Sequence, residues 1–361
     1  MAQLYGGSYT QAELTRKVGL VEQVAGVRRL TLAEGSEAGV EAIEFRTGTG
    51  LSFMVLPGRG MDISAADFRG ASLAWRSTTG DAAASFFEPE GLGWLRTFYG
   101  GLVVTCGLTY AGAPGPDGDE ELGLHGRVSH IPAKNVSADG MWEGDEYVMC
   151  ARGKVREASV FGPNILLTRT IAARLGQSRI WIHDVVENQG FASQEHMILY
   201  HCNLGFPLMD EGTELLAAAQ EVIPRDEVAE AGLDDYATFS APVADYQEQV
   251  FYHDLATDDD GDSLVGVVNR SFRQGHGLGL YVKFPKAELP RFAQWKNPGE
   301  GTYVQGLEPA NCWVTGRADE RARGTLQVLE PGEVREYHLE IGVLATPEEI
   351  EDFEKAVKAM D

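Results

Sequence analysis

Three residues that can exchange protons stand out by their surroundings. His201 and Asn203 lie two apart in LYHCNLGFPL (Leu199–Leu208), an otherwise apolar, strand-like run, so both side chains face the same way. His125 sits in LGLHGRVSH (Leu122–His130) and Glu308 in VQGLEPANC (Val304–Cys312), each among glycines and apolar neighbours. Two imidazoles and a carboxylate gathered on one sheet face would make an acid–base site. A histidine titrating near neutrality suits the acid, and a glutamate in a partly apolar strand suits the base, because burial raises its pKa. Each group so positioned contributes about 10²–10⁴-fold to a proton-transfer reaction. Taken singly, His201 also reads as a core histidine bonded to a carbonyl, and Glu308 as a solvent-facing residue at a strand end.

Other residues could line the same site. Arg59 and Asp62 in PGRGMDI form either an ion pair within a turn or a ligand-binding pair, and Arg127 directly follows His125-Gly126. Gln294, Trp295 and Lys296 in FAQWKN are either an aromatic platform with polar flanks or part of the core. His130, His183, His196, His253, His276 and His338 read as structural or exposed.

The elements that must position these residues are mostly strands. VEAIEFRTG, LSFMVLPGRG, MDISAADFRG and SLAWRS alternate apolar and polar residues between glycines, about every ten residues, as an antiparallel meander does. Residues 77–99 break that rhythm with Phe86, Phe87, Trp94, Phe98 and Tyr99, which suggests a loop or short helices packed over something. GGLVVTCGLTYAG (100–112) reads as a buried strand, and APGPDGDEELG (113–123) as an exposed acidic loop. Strand patterns recur at EYVMCARGKV, NILLTRTIAAR and RIWIHDVVEN, and again at GLGLYVKF, GTLQVLEP and VREYHLEIGVL. Residues 210–262 are acidic and poorly periodic, and read as irregular surface excursions with a few strands. The TDDDGD segment within them is a solvated turn, since an EF-hand loop needs a glutamate at its twelfth position.

Short helices are expected at both ends. Thr10-Gln-Ala-Glu13 is a capping box, giving a helix over 10–18 that Gly19 closes. Thr346, Pro347 and Glu349 open a second over 347–360, with Ile350, Phe353 and Val357 as its apolar stripe. No linker or repeat divides the chain, so the expectation is a single all-β sandwich domain over 1–361, its core about residues 20–345.

Composition narrows the function. Thirty basic against 54 acidic residues give a formal charge of −24, which argues against nucleic-acid binding. The four cysteines are widely spaced without a zinc pattern. The first residues lack an apolar signal region, and no run approaches the ~18 apolar residues of a membrane span, so a cytoplasmic protein is expected. Oligomeric state is left open.

The order LHG (124–126), HCNLG (201–205) and GLEP (306–309), with HDVVENQG (183–190) before the second histidine, resembles the galactose-mutarotase-like (aldose 1-epimerase) superfamily. LPGRGMDI, TCGL, LHGR and FAQWKN resemble a bacterial branch of it, and the likeness spans roughly residues 12–345. The resemblance implies an antiparallel β-supersandwich with a small-molecule sugar site on one concave sheet face. It further implies Glu308 as the base taking the anomeric hydroxyl proton, His201 as the acid protonating the ring oxygen, and His125 as a hydrogen-bond partner of the sugar. No covalent intermediate, metal or redox cofactor is required. The sequence departs from the family twice. TCGLTYAG lacks the arginine that mutarotases place before the first histidine, leaving Arg127 or Arg59 to supply a guanidinium. The family's hydroxyl-holding aspartate has no clear match between His201 and Glu308. Two other readings share the fold: a metal-assisted sugar isomerase using His125, His201 and Glu308 as ligands, and a non-catalytic sugar-binding domain.

Overall fold

The segment EYVMCARGKVREA alternates in burial along Glu146–Ala158, as a strand with one face on a core must. It belongs to an eight-stranded antiparallel sheet in the computed structural model, which describes residues 1–360. In spatial order its strands are Lys134–Glu143, Glu146–Ala158, Asn164–Arg174, Arg179–Asn188, Val334–Leu344, Leu278–Pro285, Asp262–Asn269 and Glu214–Ala217. The last third of the chain is thus threaded into the middle of the sheet.

A second large sheet runs Ala219–Pro224, Gln249–Leu255, Arg291–Gly299, Thr302–Ala310, Gln194–Gly205 and Gln327–Leu329, with Val104–Leu108 also pairing onto Gln194–Gly205. A five-stranded meander from Gly26–Thr31 to Ala71–Ser72 completes the body. All three sheets contribute to one apolar cluster, including Phe45, Ile171, Ile182, Tyr200, Val265 and Leu307.

The ends are helical, as expected, with two differences in detail. The first helix is shorter than 10–18: only Gln11–Thr15 is helical, with Thr10 and Glu13 making the full capping box. At Pro347–Lys358, Thr346 accepts from the Glu349 amide, but the Glu349 carboxylate turns to the Ala345 amide. Ile350, Phe353 and Val357 are buried against the eight-stranded sheet.

Residues 210–262 carry the few strands expected of them, and these belong to the main sheets. Three of their segments, Glu214–Ala217, Ala219–Pro224 and Gln249–Leu255, are strands of the two large sheets. In the TDDDGD turn, Asp258 Oδ1 accepts from the amides of Asp260 and Asp262, closing it without an ion. No described helix is long and apolar enough to cross a membrane.

Candidate active site

The period of two along Gln194–Gly205 sends Tyr200 into the space between the sheets and His201 to the opposite face. The neighbouring strand Thr302–Ala310 pairs so that Leu199 meets Ala310 and Cys202 meets Leu307, which sets Glu308 opposite His201. His201 Nε2 lies 3.3 Å from Glu308 Oε1, and both side chains are nearly sealed from bulk water. Gly306 makes this possible. A Cβ there would come within 2.7 Å of Glu308 Oε1 and 2.9 Å of Trp295 Cβ, so only glycine lets the two side chains lie next to each other.

His125 arrives from a loop. Its backbone is left-handed (φ 57°), and Gly126 packs so tightly that a Cβ would meet the carbonyls of Gly107 and Tyr110. The His125 amide donates a hydrogen bond to the Gly112 carbonyl, and the Gly107 amide donates one to the His125 carbonyl, which ties the loop to the strand Val104–Leu108. The His125 and His201 rings stand 5.8 Å apart, nearly perpendicular. The Nδ1 atoms of both are buried without a hydrogen-bond partner among the described residues.

These three residues line a cavity of ≈ 560 Å³. Trp75, Trp94, Phe98 and Trp295 wall it, with Phe98 and Trp295 5.4 Å and 5.3 Å from the His201 ring. The irregular stretch 77–99 therefore covers this cavity, its short helix Gly93–Thr97 carrying Trp94. Burial shapes the proton affinities. It lowers His125 to about 4, lowers His201 to about 3 with help from His125, and raises Glu308 to about 8. The charge of Glu248 pushes Glu308 further up and that of Arg225 pulls it back.

The other residues singled out in the sequence lie elsewhere, apart from Trp295. In the strand Arg291–Gly299, alternation puts Trp295 on the cavity and turns Gln294 and Lys296 away, so three consecutive residues cannot form one platform. Gln294 bonds to His253 and the Tyr236 carbonyl, and Lys296 donates to the carbonyls of Asp235 and Thr238. Asn203 shares the His201 face, but its Nδ2 is spent on the carbonyls of Gly101 and His201. Arg59 is buried, donating to the carbonyls of Ser129, Ala82 and Thr97. Asp62 pairs with Arg169, not with Arg59. Arg127 is exposed and borders a different cleft, beside Arg156 and Glu157, because the residue after Gly126 leaves the loop on its far side.

Sequence reasoning missed two charged residues of the cavity wall, Arg225 and Glu248. Glu248 Oε2 accepts from the Trp295 indole at 2.8 Å, and its Oε1 lies 3.6 Å from Arg225. Both come from the acidic stretch taken as surface excursion. A guanidinium and a carboxylate thus stand on the same wall as Trp295. As a metal cage the central three are poorly arranged: among the described residues, only His183, Glu336 and His338 bring three ligand atoms within 4.8 Å of one another.

Residues 37–343 match the family described as a domain of unknown function, DUF4432. No curated protein matches the chain. Among solved structures, a Klebsiella pneumoniae protein provisionally named an aldose 1-epimerase is similar at 24% identity and TM-score 0.88, over 94% of this chain and 90% of that one. A galactose mutarotase-like protein from Clostridium acetobutylicum aligns at 10% identity and TM-score 0.63, over 90% of this chain and 100% of that one. Galactose 1-epimerase from Lactobacillus acidophilus aligns at 11% identity and TM-score 0.57, over 89% and 99%.

Proposed function

The chain belongs to the DUF4432 family and has a galactose-mutarotase-like fold, and we propose that it interconverts the anomers of a small sugar by acid–base ring opening. The observation that carries this reading is the His201–Glu308 contact at 3.3 Å on the floor of an aromatic-walled cavity, with His125 beside it. Ring opening needs one group that holds a proton and one that lacks it. With His201 lowered to about 3 and Glu308 raised to about 8, the pair holds one proton throughout the neutral range.

Burial favours the uncharged pair, with the proton on Glu308. A sugar hydroxyl bonded to the carboxylate favours its charged form, and so does Arg225, which sends the proton across to His201. Glu308 then takes the proton from the anomeric hydroxyl as His201 gives one to the ring oxygen. The C1–O5 bond breaks and the open-chain aldehyde forms. Rotation about C1–C2 and re-addition of the O5 hydroxyl to the other face, with both protons returned, gives the other anomer. The aromatic walls suit the apolar faces of a pyranose, while Arg225, Glu248 and Asn297 offer partners for its hydroxyls. The whole chain is read as one domain built around this cavity.

The test is anomer exchange, followed by polarimetry or NMR over a panel of free aldoses, with Glu308→Gln as the control. Exchange by the wild type that the variant lacks supports the reading. Equal rates across the panel remove it, and binding without exchange would leave a sugar-binding domain.

A further inference from the structure

We infer that the outer face of the eight-stranded sheet holds a divalent transition-metal ion between His183, His338 and Glu336. The register places His183 of Arg179–Asn188 directly opposite His338 of Val334–Leu344. Glu336, two residues before His338, projects from the same face. The two imidazoles stack at 4.4 Å with 10° between their planes, and His183 Nε2 is 2.8 Å from Glu336 Oε2. One ligand atom from each residue falls within a 4.8 Å group.

Behind this trio stands a fourth residue. Glu288 reaches from the turn after Leu278–Pro285, its Oε1 2.9 Å from His338 Nδ1 and its Oε2 accepting the His338 amide at 2.7 Å. A carboxylate holding one ring nitrogen fixes the orientation of the imidazole and leaves its other nitrogen, Nε2, to ligate. Two plain surface pairs would explain the carboxylates separately. They do not explain why one ligand atom from each of two imidazoles and a carboxylate gathers within 4.8 Å on neighbouring strands.

The donor set selects the ion. Two imidazoles and one carboxylate suit Zn²⁺, Ni²⁺ or Cu²⁺, whereas Mg²⁺ and Ca²⁺ favour all-oxygen cages. Zinc bonds imidazole nitrogen at about 2.0–2.1 Å, so the two nitrogens close to about 3.3 Å in a tetrahedral site. Side chains 42–55% exposed have the freedom to tilt that far, and water can complete the shell. The ion would tie together two central strands, on a face remote from the sugar cavity. It neither rests on nor serves the activity proposed above.

The experiment is calorimetric titration of tag-free, chelator-treated full-length protein with zinc chloride, with thermal unfolding measured beside it. One ion per chain is expected, with a rise in melting temperature that magnesium chloride does not reproduce. The His183→Ala/His338→Ala double variant should weaken zinc binding by ~100-fold or more, and Glu288→Gln by about 10–100-fold. His276→Ala, another exposed histidine, should bind as the wild type does. His183 and His338 are well exposed, and glutamine at 288 keeps an oxygen for the His338 amide, so the metal-free variants should unfold near the wild-type temperature. No binding by the wild type, or undiminished binding by the double variant, overturns the site. Unaltered binding by Glu288→Gln overturns the role of the backing carboxylate.

Discussion

Tyr200 and His201 are consecutive residues of one strand, and they look into two polar clusters of opposite character. On the Tyr200 side, Arg169 binds Asp184 through two nitrogens and Asp62 through a third. Thr105 donates amide and hydroxyl to Asp62, and the Tyr200 hydroxyl bonds Asp184 at 2.7 Å. Arg169, Asp62 and Asp184 are wholly buried, yet their charged groups are thoroughly paired. On the His201 side, two imidazole Nδ1 atoms have no partner, and the central contact is a single 3.3 Å approach. A buried cluster with its bonding capacity used holds sheets together; one with capacity left over is prepared for something that arrives later.

The comparison breaks most visibly at Arg169. In Arg169→Met, two fully buried carboxylates lose their cation, and removing one partner of such a network costs about 3–5 kcal/mol. We expect loss of that order in chemical denaturation, or failure to fold. A variant as stable as the wild type would mean the network is not structural.

On the other side the loss should fall on rate. His201→Gln and Glu308→Gln each remove one proton-transfer group and should lower anomer exchange about 10²–10⁴-fold. At neutral pH the buried Glu308 must hold a proton that the unfolded chain has lost, so Glu308→Gln should be at least as stable as the wild type, and His201→Gln should change the denaturation midpoint little. Destabilisation as large as in Arg169→Met, with exchange intact, would reverse the two assignments.

How much of this was visible in the sequence follows the same division. His201 and Glu308 were legible because each interrupts an apolar strand with a titratable group, and alternation fixes its direction. The antiparallel sheets were legible for the same reason. Arg59 and Asp62 stayed open between an ion pair and ligand binding because a charge in a glycine-rich turn looks the same whichever partner it meets. Their partners, the Ser129 carbonyl and Arg169, are remote in sequence. Arg225 and Glu248 were hidden in an acidic stretch, and only the pairing of Gln249–Leu255 with the distant Arg291–Gly299 brings them beside Trp295. The FAQWKN reading failed on a rule the sequence did contain, since a strand cannot show three successive side chains to one ligand.

Dependence on pH sharpens the contrast further. Above about 8 the His201–Glu308 pair loses its one proton, so kcat/KM should be level through neutrality and fall about tenfold per pH unit beyond. The acid side should be governed by folding instead. His125, His196 and His253 are lowered by burial to about 4, below the ordinary histidine range. The unfolded chain therefore binds more protons between about 4 and 6.5, and stability rises with pH across that window and is lost as pH falls through it. Melting temperature and exchange rate should decline together in acid but separately in alkali. A rate that falls in alkali only as the protein unfolds would count against a shared proton.

The smallest expected effects carry the clearest signs. Glu248 raises the proton affinity of Glu308 and Arg225 lowers it, although the two lie side by side on the cavity wall. Glu248→Gln keeps an oxygen to accept the Trp295 indole proton while removing the charge, so the alkaline limb should move to lower pH. Arg225→Gln should move it to higher pH. Each displacement should be a fraction of a pH unit, because both side chains are partly open to water. Each should also shrink as salt is added, since exposed charges are screened over about 10 Å at 0.1 M ionic strength. Opposite displacements would identify Glu308 as the group that sets the limb. Movement of both variants in one direction would assign that limb to some other group, and the proton shared with His201 would no longer account for the rate.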